Sequence, residues 1–204
     1  PWMYKKLKAG EQGAVGRNAS ELCLMVGIAT FFVSALPPDL VRILATEDYM
    51  EAVWIIAPVS ASVYFIFLHM VFANVEMYYG GNKGISIISI ACSLLNIILN
   101  VIFIPVYGYF AAGWTTLFSY IVLTVLHYIL MRRACRRSNL AQPVFPIREL
   151  RIISAGVLLS SFAAMGLYYA EWFRYGAIVL LLLFLFAFRG KVMKYLKKGE
   201  DYDW

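Results

Sequence analysis

Ala52–Val75 reads AVWIIAPVSASVYFIFLHMVFANV, a run of 24 residues without one Asp, Glu, Lys or Arg. A hydrocarbon core about 30 Å thick needs about 20 apolar residues of helix, so this run is long enough to cross it. Five more runs flank it: Glu21–Leu40, Ile85–Ile104, Ala111–Met131, Ile152–Ala170 and Tyr175–Phe188. The last is short and starts either at Tyr175 or nearer Trp172. Hydrophobic residues make up 62% of the chain and its mean hydropathy is +0.72. A soluble domain is nearer 45–50% apolar. Only helices or closed barrels satisfy every backbone group in lipid. Continuous apolar runs without strict alternation select helices over barrel strands. The fold class is therefore an all-α polytopic membrane protein with six transmembrane helices.

Charge orients the spans. Of 18 Lys and Arg, all but Arg42 and Arg174 fall on one set of alternating loops. Lys5, Lys6, Lys8 and Arg17 precede the first span and Lys83 follows the second. Arg132, Arg133, Arg136, Arg137, Arg148 and Arg151 follow the fourth. Arg189, Lys191, Lys194, Lys197 and Lys198 follow the sixth. The positive-inside rule makes that side cytoplasmic, with both ends of this piece inside. The expected location is the cell (inner) membrane, multi-pass. Asp39, Glu47, Asp48, Glu51 and Glu171 fall on the other side. The net charge of +6 lies in loops between spans, so no nucleic-acid partner is expected.

The expected organisation is a leading cytoplasmic segment over 1–20, a four-helix unit over 21–131, a basic cytoplasmic loop over 132–151, two further helices over 152–188 and a polar, disordered cytoplasmic tail over 189–204. Pro37-Pro38 ends the first span, because proline removes a backbone donor. Val41–Glu51 reads as an interfacial helical turn, with Asp48 as a cap for the next helix. Pro58 should kink the second span. Tyr78–Gly84 is a tight turn in which Gly80 and Gly81 supply positive φ and Asn82 tolerates it. Ile104–Tyr109 makes the opposite turn. Loops this short force neighbouring spans into antiparallel hairpins. The chain opens on Pro1 and is expected to begin partway through a longer protein.

Chemistry-bearing residues are sparse. Buried ionisable groups cost several kcal/mol in lipid and mark candidate sites. Glu76, at the end of the second span, is either a cation-coupling carboxylate or an interfacial residue paired with Lys83 or capping a turn. His69 lies seven residues earlier, near the same helical face. It is either half of a proton-relay pair with Glu76 or a hydrogen-bonded packing histidine. His127 reads as interfacial. Asn96 and Asn100 share a face one turn apart. They either line a cavity that binds sugar hydroxyls or a cation, or make interhelical hydrogen bonds; Asn74 is similar. Ser86, Ser89, Ala91 and Ser93 form a small-residue face suited to close helix approach. Trp54, Tyr64, Tyr78, Tyr107, Tyr109, Trp114, Trp172 and Tyr175 read as interfacial aromatic belts. Cys23 and Cys92 fall in spans and Cys135 in a basic loop; all three read as free thiols, with no metal-binding spacing. Paired glycosidase carboxylates, a nucleophile elbow and a phosphate loop are all absent from the sequence. No catalytic residue, metal or cofactor is expected, and the chain is not expected to be an enzyme.

One set of residues carries a family likeness. Glu76–Gly84 is followed by Asn96-Ile97-Ile98-Leu99-Asn100, then by Ile104-Pro105-Val106-Tyr107-Gly108-Tyr109-Phe110-Ala111-Ala112-Gly113 and Thr115-Thr116. In general form this is N-x-x-x-N-x-x-x-I-P-x-x-G-x-x-A-A with a Thr-rich continuation. Leu36-Pro37 to Ile43-Leu44, then Tyr49 and Ala52, add a P-x-x-I/V-x-x-L … Y-x-x-A segment. Over roughly Pro1 to Met131 the chain resembles the C-terminal part of bacterial polysaccharide transporters. These are the O-antigen and capsule flippases of the multidrug/oligosaccharidyl-lipid/polysaccharide superfamily. Beyond Met131 the likeness is one of hydropathy and placement only.

The resemblance implies part of a two-lobed, inverted-cavity flippase fold: four helices of the C-lobe and an added pair. It implies a function in cell-surface polysaccharide biosynthesis, moving an undecaprenyl-type lipid-linked oligosaccharide across the bilayer by alternating access. The implied partners are that lipid-linked oligosaccharide, the lipid bilayer, H+ or Na+ as coupling ion, and other polysaccharide assembly proteins. The rival readings are a cation-coupled multidrug antiporter of the same superfamily, a membrane-embedded glycan polymerase, and a non-transporting scaffold.

Overall fold

The computed structural model describes residues 2–45, 47–80, 82–140 and 143–187. Among them every element is helical. In chain order these are α1 (Trp2–Lys8), α2 (Gln12–Ala35), α3 (Pro37–Leu44), a 3-10 turn (Glu47–Ala52), α4 (Val53–Tyr78), α5 (Asn82–Tyr107), α6 (Phe110–Arg137), α7 (Ile147–Gly166) and α8 (Glu171–Ala187). Five are long and apolar enough to cross a membrane: α2, α4 with the turn before it, α5, α6 and α7. The chain is thus an all-α polytopic membrane protein with five such helices among the described residues. The expected sixth span falls on α8, which is described over 17 residues. Phe188, the expected polar tail from 189 and Gly81 of the expected turn lie outside the described residues.

Helix α4 is central. It packs most extensively on α6 on one side, and on α2 and α7 on the other. Helix α5 lies on the outer face of α6. Gly113 of α6 fits against Pro58 and Ile55 of α4. A Cβ there would meet Ile55 Cγ2 at 2.8 Å and Pro58 Cγ at 3.3 Å. The proline that removes a hydrogen bond from α4 therefore packs where α6 has no side chain. On the other side, a Cβ at Gly27 of α2 would lie 2.7 Å from Val157 Cγ2 of α7. Leu150 and Val157 of α7 belong to the same apolar core as Val15, Tyr64, Phe72 and Leu117. Helix α7 is thus built into the bundle beside α2 and α4.

Up-and-down order gathers alternate loops at common ends. At one end, Tyr4 packs at a tilt on Tyr78, and Phe72 edge-on against Phe145. This end carries the described lysines and the arginines of the α6–α7 segment. At the other end, Trp54 packs on Tyr168 and Tyr169, and Tyr168 Oη donates to the Ser34 carbonyl at 2.8 Å. Arg42 and Arg174 are both there, and each is paired with a carboxylate.

Several local expectations change. The first long helix starts at Gln12 and ends at Ala35, so Arg17 and Glu21 are helical. Pro37-Pro38 opens α3 as its first residues, where the missing N–H is one the helix would leave free anyway. Ala52, not Asp48, occupies the N-cap of α4, and no side chain caps it. Pro105 lies inside α5, which runs to Tyr107; the turn is made by Gly108, at φ +65°. Gly80 does take positive φ, at +85°, whereas Asn82 begins α5. Helix α6 carries Arg132, Arg133, Arg136 and Arg137 in its final turns and ends at Arg137, with Asn139 just beyond its cap at φ +53°. The Leu140 N–H then returns to the Cys135 carbonyl, a Schellman closure. The expected basic loop is partly core: Val144 and Phe145 are buried, and the Val144 carbonyl lies where a Cβ on Gly16 would collide with it.

Tyr64 is not a belt residue. It is fully buried, and its hydroxyl sits 2.9 Å from Ser154 Oγ of α7. Cys135 is buried on α6 with Met131, and all three cysteines are free. Among the described residues the small-residue face of α5 is largely uncovered: Ser86, Ala91 and Ser93 are exposed. Only 6% of the spanning window of α5 is buried, the least of the five long helices.

Candidate functional sites in the bundle

Polar side chains inside apolar helices need partners, and most find them on their own helix. Thr30 donates to Val26 O, Ser93 to Ser89 O, Ser154 to Leu150 O and Asn74 to Met70 O. Asn74 lies on an exposed face of α4, bound back to its own backbone and apart from Asn96 and Asn100. The structure does not bring the three asparagines together.

Asn96 and Asn100 do form a site, with α6. Asn100 Nδ2 donates to Asn96 Oδ1 at 3.2 Å, and Asn96 Nδ2 to Ser119 Oγ at 3.3 Å. Thr115 Oγ1 donates to Asn100 Oδ1, and Ser119 Oγ to the Thr115 carbonyl. This ladder binds α5 to α6. Beside it, towards the Gly108 turn, opens an apolar cleft of about 800 Å³ lined by Leu99, Phe103, Phe110, Trp114, Thr115 and Phe118. Thr115 belongs to both, so an amide and hydroxyl strip borders an aromatic groove.

The other candidates meet a residue that the sequence analysis had placed at the interface. His127 of α6 is 1% exposed, and its Nδ1 lies 3.0 Å from Glu76 Oε2 of α4. Glu76 is equally buried, at 1% exposure. Glu76 therefore pairs with His127 across the α4–α6 seam, and Lys83 is not its partner. His69 is not bonded directly to Glu76. Its ring stacks on His127 at 5.5 Å between centroids and 24° between planes, and on Tyr120 at 6.2 Å. The expected pair is a row of three groups with His127 in the middle. His69 Nδ1 and His127 Nε2 are buried without hydrogen-bond partners. Gly84 of α5 closes the site: a Cβ there would stand 2.9 Å from Glu76 Oε1 and 2.7 Å from Leu130 Cδ1. A four-residue spacing between the His127 and Met131 faces of α6 gave no warning of this. Hydropathy alone does not say which way a polar residue points.

A second polar cluster holds α8 at the opposite end. Arg174 is 1% exposed, and its Nη2 lies 3.1 Å from both carboxylate oxygens of Asp39 on α3. Tyr175 Oη donates to Asp39 Oδ1, and Arg42 Nη1 pairs with Glu171 Oε1 at 2.8 Å on the surface. The Glu171 hydrogen bond raises the Arg42 pKa above its ordinary value. In the sequence Arg42 and Arg174 stand out as the two off-side basic residues, on the same side as Asp39 and Glu171, but which carboxylate each one meets is set by the fold.

Among the described residues no group of three or more His, Cys, Asp or Glu is arranged to hold a metal ion. No family model, no curated protein and no solved structure matches the chain.

Proposed function

We propose that this chain is the membrane-embedded part of a flippase that carries a lipid-linked oligosaccharide of the undecaprenyl type across the bilayer by alternating access. One observation supports the reading most: the Asn96–Asn100–Thr115–Ser119 strip borders an apolar cleft of about 800 Å³. A glycan on a lipid carrier is half sugar and half hydrocarbon. Its hydroxyls need amide and hydroxyl partners in place of water, and its tail needs an apolar wall. The α5–α6 face offers both side by side, on the helix least covered by the rest of the chain. The sequence likeness to polysaccharide flippases rests on the same Asn96–Asn100 and Ile104–Gly113 stretch. Rocking of helix groups about a polar strip at membrane depth is how secondary transporters expose a site to each side in turn. In this reading the basic end faces the cytoplasm, as the positive-inside rule requires.

A cation-coupled multidrug antiporter is the second reading. It is favoured by the aromatic lining of the cleft, where Phe103, Trp114 and Phe118 supply rings of the kind that attract flat lipophilic cations.

Depletion of the full-length protein in its own cell, with lipid-linked oligosaccharide measured by leaflet, tests the proposal. Accumulation of finished carrier on the cytoplasmic face is the expected result. Accumulation on the outer face would replace the flippase with a polymerase. No accumulation, together with drug sensitivity, would select the antiporter.

A further inference from the structure

The chain has two histidines, and the fold stacks one on the other deep in the α4–α6 interface beside a buried carboxylate. We propose that Glu76, His127 and His69 form a proton-binding site inside the bundle, in which Glu76 and His127 hold one proton between them and His69 responds to it.

The geometry sets the stoichiometry. Carboxylate with imidazolium, or carboxylic acid with neutral imidazole, differ by movement of one proton along the 3.0 Å line between Oε2 and Nδ1. Either form is neutral overall. Zero protons would leave a net negative charge in an apolar interior, and two would leave a net positive one; both are costly there. The one-proton form is therefore the neutral resting state, and the site titrates by losing that proton to water as pH rises or gaining a second from water as pH falls, with no other reactant.

A purely structural pair would look different. Replacing a buried ion pair with apolar residues is often neutral or stabilising, so stability alone is a weak reason to bury one. Structural polar networks also satisfy their members. Here the two imidazoles each keep a buried nitrogen, His127 Nε2 and His69 Nδ1, free of any protein hydrogen bond. Each is a ring nitrogen able to carry the proton that a change of occupancy adds or removes.

The surroundings leave the triad electrostatically isolated. From α4, Tyr78 is the next titratable group along, and its ring packs at a tilt against Tyr4 of α1. From α6, Tyr120 stacks on His69, while Tyr128 packs on Phe72 with Arg132 over its ring. Helix α5 contributes Gly84, and Lys83 beside it is exposed. Helices α2 and α7 meet α4 on its other side, through Cys23, Tyr64 and Ser154. Gly84 on Glu76 makes the first turn of α5 the cover of the site, and it lies at the basic end, next to the Gly80 turn.

The inference uses the membrane fold and this geometry, not the flippase reading. Its readout is histidine protonation, so a failure to find transport would leave it standing. The chain labelled with 15N-histidine in phosphatidylcholine–phosphatidylglycerol liposomes is followed by solid-state NMR across about pH 5–9, where imidazoles ordinarily titrate. With two rings in the chain, H69N assigns both. The expected result is a change of protonation at one ring or both, with a midpoint that E76Q moves by more than tenfold in proton concentration. If both rings hold one protonation state throughout in folded protein, the proposal is overturned. The same holds if E76Q leaves the midpoint in place. Should E76Q not fold, H69N decides: a displaced His127 midpoint supports the site and an unmoved one overturns it.

Discussion

Glu76 and His127 stand 51 positions apart in sequence and 3.0 Å apart in space, each 1% exposed. Among the described residues it is the one carboxylate–imidazole pair between α4 and α6. Removal of one partner leaves the other buried and unpaired, and that asymmetry makes the pair testable. E76A should lower stability in detergent by about 1–3 kcal/mol, the usual cost of a stranded buried polar group. E76Q keeps an acceptor for His127 Nδ1 and should lose less than E76A. Thermal or denaturant unfolding of the two variants side by side checks the order; equal losses would mean that the hydrogen bond contributes nothing.

Gly84 and Gly156 give a matched pair of glycine tests. A methyl at Gly84 would press on Leu130 and Glu76, and Leu130 and the carboxylate would both have to shift. G84A should cost about 1–3 kcal/mol, as overpacking does. Gly156 of α7 has nothing within 4 Å of its would-be Cβ. G156A should be neutral or slightly stabilising, since alanine favours helix over glycine by up to about 1 kcal/mol.

Arg174 and Asp39 should act as a unit. R174A leaves an acidic group without its cation and removes the buried one of the ties between α3 and α8. Amide exchange over Leu167–Arg174 should quicken at least tenfold, which corresponds to about 1.4 kcal/mol. The double variant D39A/R174A should lose less than the sum of the singles, because the two groups share one interaction.

The surface pair Arg42–Glu171 supplies the contrast. Its hydrogen bond raises the Arg42 pKa above that of an unfolded arginine. A raised basic group contributes its stability fully below the unfolded value and loses it only as pH rises through the folded one. Arginine stays charged far above neutrality. The contribution is therefore constant between about pH 5 and 9, and exposure with salt screening keeps it small. E171Q should leave the unfolding midpoint and its pH profile unchanged; a pH-dependent loss in that window would refute this.

Asn100 separates packing from substrate handling. Interhelical hydrogen bonds in membranes average about 0.6 kcal/mol, so N100A should barely alter stability. A much larger loss of oligosaccharide export in cells carrying N100A in the full-length protein would place the ladder in the transport path. Export at the wild-type level would confine Asn100 to joining α5 and α6.

Parts of this arrangement were legible beforehand. Asn96 and Asn100 are four residues apart, and one helical turn brings their side chains together whatever the tertiary fold. Gly80 was legible for a similar reason, since a tight turn between two spans needs positive φ nearby. Asp48 as a cap and Pro105 as a turn residue failed because helix ends in a bundle are set by tertiary packing. Pro105 is tolerated within the last turn of α5, and no side chain is needed before Val53. Tyr64 was misplaced because aromatic residues suit both the interface and the core; the position of Ser154, 90 residues away, decides which.

The sequence by itself determined that this chain is helical, that its long apolar runs lie antiparallel, and that its described basic residues other than Arg42 and Arg174 gather at one end. Hydropathy, loop length and loop charge are local quantities, and a bilayer reads them one span at a time. Only the tertiary structure decided which polar groups meet. An apolar helix can turn about its own axis with little change in what lipid sees, so hydropathy does not fix its rotation. Packing does: Gly113 against Pro58, Gly27 against Val157 and Gly84 against Glu76 set the rotations of α6, α2 and α5. Those rotations bring His127 to Glu76 and His69, while the docking of α8 brings Arg174 to Asp39.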